Sequence, residues 1–169
     1  MNATLASWNT ADAKWATDAM LACCGARRWA AAMVAARPIA NIIELSTAAD
    51  RIWSTMQEPD WMEAFACHPR IGERNAAHAS KKSVAWSRQE QSSAATAAER
   101  TSEELAAGNA LYEQRFGFTY IVCATGKTAE EMLAILNGRL ASDRAKELAE
   151  AAEQQRQITQ IRLGKWLVE

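Results

Sequence analysis

A β-strand cannot stand alone in a globular protein, because its main-chain N–H and C=O groups need a neighbouring strand. This chain offers strand-like content in one place, FTYIVCA at 118–124. With no partner strand in view, the core of the 169-residue chain has to be built from helices. Abundant alanine and only 3 prolines leave long stretches free of helix breakers. The expected architecture is all-α: a single-domain helical bundle over residues 1–169, large enough to fold without staples. No internal repeat, linker or low-complexity tail interrupts it.

Caps and breakers set the helix boundaries. A first helix is expected over about 11–24, closed by Gly25 in a left-handed conformation, and a second over about 26–36, ended near Pro38. A third should start at Ser46 or Thr47, with Ala49, Ile52, Trp53 and Met56 on one face. Pro59 suits the first turn of PDWMEAFAC, which Pro69 stops. Residues 70–82 read as a loop and SVAWSRQEQ as a helical start. SSAATAAERTSEELAAGNALYEQRF reads as a long helix closed by Gly117. Thr128 and Glu131 form a T-x-x-E capping box, and Ser142 is expected to cap a last helix over about 143–166.

Charge and composition narrow the function. A formal net charge of -1 with no basic stripe argues against nucleic acid as a partner. No apolar run is long enough to span a membrane. The start of the chain, MNATLASWNTADAK, lacks the form of a secretory signal, and the closing KWLVE is no peroxisomal address. Cys23, Cys24, Cys67 and Cys123 form no CxxC pair, so reduced thiols in a cytoplasmic protein are expected. These features favour a small-molecule substrate or another protein as partner.

FACHPRIGER, at 65–74, carries one of the chain's two histidines at the end of a helix, with Pro69 next and Gly72 shortly after. His68 could satisfy a free carbonyl of that helix end. Alternatively, the helix end and Pro69 clamp the imidazole at the rim of a pocket, where it would serve as a proton shuttle. A Cys67–His68 dyad is disfavoured, since neighbouring helical side chains diverge by about 100°. His68 and His78 are ten apart with no HExxH or cysteine ligand pattern, so no metal site is expected. Ser87, Glu90 and Gln91 of SRQEQ share a helix face with hydroxyl, carboxylate and amide groups, which suits either solvent or a heterocycle rich in N–H and C=O. The 118–124 segment would leave main-chain groups for core packing or for a ligand. Arg139 could favour the helix dipole or grip a carboxylate. On the last helix Leu148, Ala152, Ile158, Ile161, Leu163 and Trp166 make an apolar stripe, either core or an oligomer contact.

Taken in order, RWAAAMVAARP, AFACHPRIG, SRQEQ, LYEQRFGFTYIVCATGK, ILNGRL and ELAEAAEQQRQITQIRLGKWL resemble one family. It is that of the 2-oxo-4-hydroxy-4-carboxy-5-ureidoimidazoline (OHCU) decarboxylases of urate breakdown. The resemblance runs from about Leu5 to Trp166. It implies an all-helical homodimer that decarboxylates OHCU to (S)-allantoin without metal or organic cofactor. It places the catalytic histidine at His68, with Glu90 orienting the substrate and tuning the imidazole. Substrate contacts fall on Pro69, on Ser87, Arg88, Gln89, Glu90 and Gln91, on Tyr120, Ile121, Val122, Cys123 and Ala124, and on Arg139. One departure from the family pattern is Ser142, where asparagine is usual; a preserved cap is expected. Two readings of other kinds stay open: a helical interaction module using the C-terminal stripe, and a helical enzyme acting on a related ureide or purine.

Overall fold

A computed structural model describes residues 2–71, 85–86 and 99–169. Gly72, His78 and the whole SRQEQ stretch, with Ser87, Arg88, Gln89, Glu90 and Gln91, lie outside the described residues. The described chain is all-α, with eight helices and no strand: α1 (Ala3–Thr10), α2 (Ala13–Cys23), α3 (Arg27–Ala35), α4 (Ile42–Trp53), α5 (Glu58–Ala66), α6 (Glu99–Phe116), α7 (Ala129–Leu140) and α8 (Arg144–Trp166). They fall into two compact units, one of Met1–Ala64 with Arg156–Glu169, the other of Phe65–Gln155.

In the first unit, the extra helix α1 was not expected from sequence. It forms because Asn2 accepts from the Leu5 N–H as an N-cap, and because Arg37 gathers its loose C-terminal carbonyls. Arg37 Nη1 donates to Trp8 O at 2.7 Å and Ala11 O at 2.9 Å, with its guanidinium stacked over the Trp8 ring. Trp8 is fully buried, donates Nε1–H to Ala16 O and meets Trp166 edge-on at 6.1 Å. Gly25 does not take the left-handed geometry expected of it; α2 ends because Cys24 turns extended. Helix α4 starts four residues before the expected Ser46, since Asn41 caps it through the Glu44 N–H at 2.9 Å. The face named from sequence is right: Ala49, Ile52, Trp53 and Met56 are all buried.

The second unit is built on aromatic packing between α6 and the chain after it. Tyr112 contacts the rings of Phe116, Phe118 and Tyr120, and Phe65 packs on Phe118. Gly117 stops α6 at φ +83°, as its position implied. Helices α6 and α7 pack closely at Gly108, where a Cβ would come within 2.6 Å of Leu136 Cδ2. The capping box at the start of α7 forms in both directions: Thr128 N–H to Glu131 Oε2 at 2.7 Å, and Glu131 N–H to Thr128 Oγ1 at 3.2 Å.

Helix α8 is capped by Asp143, not by Ser142. The Lys146 N–H donates to Asp143 Oδ1 at 2.9 Å, and this bond holds the Asp143 carboxyl below its ordinary range. Ser142 sits in the preceding turn, its N–H on Arg139 O. The apolar stripe of α8 is core: Leu148, Ala152, Ile158, Leu163 and Trp166 are buried within the chain, and only Ile161 lies at its edge. An interaction module would have needed that stripe free.

Candidate active site

Helix α5 ends at Ala66, so His68 stands just beyond it rather than on its last turn. The His68 N–H still bonds back to Phe65 O at 3.0 Å, and buried Pro69 follows at once. Main-chain freedom at this histidine is therefore small on both sides. Its half-buried ring turns toward α8, where Nε2 lies 2.8 Å from Oε1 of the fully buried Gln155.

The segment 118–124 is buried apart from half-buried Thr119, but forms no strand. The protein satisfies its main chain selectively. Arg139 Nη1 donates to Ile121 O at 2.5 Å, the Cys123 N–H donates to Gln154 Oε1 at 2.8 Å, and Lys127 Nζ donates to Cys123 O at 2.7 Å. Ala124 O accepts from the Lys127 N–H. Between these clamps, the N–H and C=O of Val122 have no partner among the described residues, although Val122 is buried. A buried main chain seldom leaves both groups unpaired. Asn109 Oδ1 on α6 is a second buried acceptor without a partner among the described residues.

Arg139 is buried, and its guanidinium is held by the protein's own groups. Nε and Nη2 meet the Glu147 carboxylate, Nη2 reaches Tyr112 Oη at 3.2 Å, and the cation lies over the Tyr120 ring at 5.0 Å. Tyr112 also donates to Glu147 Oε1 at 2.6 Å, and Tyr120 donates to Met132 O at 3.2 Å. This network couples α6, α7 and α8 to the Ile121 carbonyl. Glu147, Tyr112, Gln154 and Gln155 went unnoticed in the sequence. A signal for Gln155 was present: at 100° per residue it falls in the middle of the buried arc of α8, between Ala151 and Leu148 on the helix face.

Burial pushes the hydroxyls of both Tyr112 and Tyr120 well above the ordinary value of 10.0; the nearby Arg139 charge opposes this only in part, and Glu147 adds to it. These are the only two tyrosines of the chain. Ultraviolet titration should therefore show almost no phenolate at pH 10 in the folded protein, and about half ionisation in concentrated guanidinium. Their neutral-form contribution to stability is complete below pH 10 and lost as pH rises toward the folded values, so unfolding should ease in strong alkali. Ordinary phenolate titration in the native protein would contradict this burial.

Two of the three segments named from sequence are thus tied to one helix by consecutive residues. Gln155 of α8 meets the His68 ring, and Gln154 holds the main chain of Cys123. The third, Ser87 to Gln91, lies outside the described residues. None of the four cysteines forms a disulfide. Among the described residues no three His, Cys, Asp or Glu side chains gather as a metal site, and no helix is long and apolar enough to cross a membrane.

A model of the family described as OHCU decarboxylase matches residues 9–164. The chain is 36% identical over 149 residues to the uric acid degradation bifunctional protein TTL of Arabidopsis thaliana, covering 88% of this chain and 46% of that one. It therefore spans about half the length of that relative. It is 28% identical over 134 residues to the 2-oxo-4-hydroxy-4-carboxy-5-ureidoimidazoline decarboxylase of Amia calva, covering 79% and 77% of the two chains. A crystal structure of OHCU decarboxylase in the presence of (S)-allantoin superposes with a TM-score of 0.77 at 34% identity, over 90% of this chain and 99% of that one. The structure of (S)-allantoin synthase shares the fold, with a TM-score of 0.71 at 18% identity over 96% and 53% of the chains. With nearly its whole length matched by one family in sequence, the chain belongs to the OHCU decarboxylase family.

Proposed function

We propose that this protein is a carboxy-lyase that converts OHCU to (S)-allantoin and CO2 in urate breakdown, using no metal or organic cofactor. The observation that carries the proposal is the joint tethering of His68 and the 120–124 segment by Gln155 and Gln154, beside the main chain of Val122, which has no partner among the described residues. An imidazoline bearing a ureido group offers alternating N–H and C=O groups. The Val122 N–H and C=O match that pattern, as a flat polar heterocycle requires. Family membership supports the same reading.

In this mechanism the bond between the ring carbon and its carboxylate breaks and CO2 leaves. The electron pair passes into the adjacent ring C=N, whose nitrogen takes up a proton, so the substrate is its own electron sink. The resulting enol becomes a ketone as its hydroxyl proton departs and a proton reaches the ureido-bearing carbon. One proton is consumed overall, and one is moved. His68 moves it, and delivery from a fixed imidazole reaches a single face of the ring.

Glu90 orients the hydroxyl or ureido group and tunes His68, while Pro69 and Ser87, Arg88, Gln89 and Gln91 line the substrate. Tyr120, Ile121, Val122, Cys123 and Ala124 contribute main-chain contacts. Arg139, its charge met by Glu147, keeps that segment in place through its grip on Ile121 O. The chain acts as one domain over 1–169 and as a cytoplasmic homodimer; a single family match across 9–164 supports the first point. Freshly generated OHCU should disappear faster in proportion to added protein, before and after exhaustive chelation, and light scattering should give twice the 18.5 kDa chain mass. A rate that vanishes on chelation and returns with one metal would overturn the cofactor-free reading, and a persistent monomer would overturn the dimer.

A further inference from the structure

We infer that Gln155 is a positioning residue that holds His68 as the Nε2–H tautomer and thereby makes Nδ1 the proton-carrying nitrogen of the reaction. The inference deepens the decarboxylase proposal and rests on it for the word reaction; the tautomer itself does not.

Gln155 sets the tautomer. Its side chain is fully buried in the middle of α8, and Oε1 lies 2.8 Å from His68 Nε2. An amide oxygen only accepts, so the nitrogen it faces must carry the hydrogen. A neutral imidazole has one N–H, and placing it on Nε2 leaves the lone pair on Nδ1. A hydrogen on Nδ1 alone would set the bare Nε2 lone pair against the amide oxygen at 2.8 Å, two acceptors in contact, which disfavours that tautomer. The other degrees of freedom are already limited. His68 is tied by its N–H to Phe65 O, Pro69 follows, and the Gln155 bond fixes the ring about its remaining torsions. Glutamine suits this role better than a carboxylate would. It accepts the same hydrogen bond without placing a fixed negative charge against the ring.

The tautomer can be read directly, because the chain has only two histidines. In a ¹⁵N-labelled His78→Gln protein at a pH where the ring is neutral, long-range proton–nitrogen spectra should show His68 protonated at Nε2 and bare at Nδ1. The Nε2 proton should exchange slowly enough to be seen. Gln155→Leu should abolish that slow proton and lower kcat by roughly 10- to 100-fold with little change in KM, the usual scale for loss of an orienting partner. Gln155→Glu keeps an acceptor of the same reach and should restore the visible Nε2 proton. An Nδ1–H tautomer in the His78→Gln protein would overturn the inference, as would a Gln155→Leu variant with unchanged spectrum and kcat. If the Nε2–H signature is present while OHCU decays no faster than in buffer, the decarboxylase proposal fails and the Gln155–His68 pairing stands.

Discussion

Replacing His68 with asparagine should lower kcat/KM for OHCU by about 10²–10⁴-fold, the range expected for loss of a placed general acid/base. The fold should survive. His68 lies outside the helices, its side chain is only half buried, and asparagine can still donate to Gln155 Oε1 across a short gap. The substitution removes the one property that asparagine cannot supply, a proton that comes and goes near neutral pH. Far-ultraviolet circular dichroism and the urea midpoint should match wild type while turnover collapses. A folded variant within a few-fold of wild type would remove His68 from the mechanism.

Replacing Glu147 with alanine should cost about 3–5 kcal/mol of folding stability, read from urea unfolding, because it leaves the Arg139 cation buried without its counter-charge. The same change takes away the acceptor of Tyr112 Oη. Against a total of about 5–15 kcal/mol for a typical domain, such a variant stands close to unfolding at room temperature. Removing both partners, as in Arg139→Met with Glu147→Leu, should recover much of the stability, since buried ion pairs often give way to apolar groups at little net cost. Activity should not recover with it. The Ile121 carbonyl would have lost its clamp, and the 120–124 segment its fixed register. A Glu147→Ala protein as stable as wild type would show that the pair contributes little, and a fully active double variant would separate Arg139 from the site.

What the residues disclosed in advance was what depends on local chemistry. The Thr128–Glu131 box and the Gly117 stop involve residues within a few positions of one another, and both form as read. Choices between adjacent caps were less legible. Ser142 and Asp143 are both good N-caps, and the structure uses the aspartate, whose carboxylate also favours a helix N-terminus. Helix α1 was missed because its C-terminal carbonyls are satisfied by Arg37, 26 and 29 positions away.

The site divides in the same way. His68 stood out through Pro69, a neighbour in sequence. Its partner Gln155 is 87 residues distant, and Arg139 meets Ile121 only because α7 folds back on the segment that precedes it. From sequence, Arg139 could either favour the helix dipole or grip a carboxylate, and the structure gives its guanidinium a carboxylate from the protein, Glu147. A buried polar residue on an apolar helix face marks such a pairing, but the sequence does not say with whom.

The handedness of the product tests the central proposal most directly. OHCU decays to allantoin without help, so product formation alone decides nothing. Protonation in water reaches both faces of the ureido-bearing carbon and gives a racemate; a proton delivered from a fixed imidazole reaches one. With OHCU made in place from urate by the two preceding enzymes, circular dichroism follows both rate and sign. The decarboxylase proposal predicts faster decay and a strong single-sign signal of (S)-allantoin with the wild-type protein, drifting to the racemate with His68→Asn. A racemic product formed no faster than in buffer would contradict it.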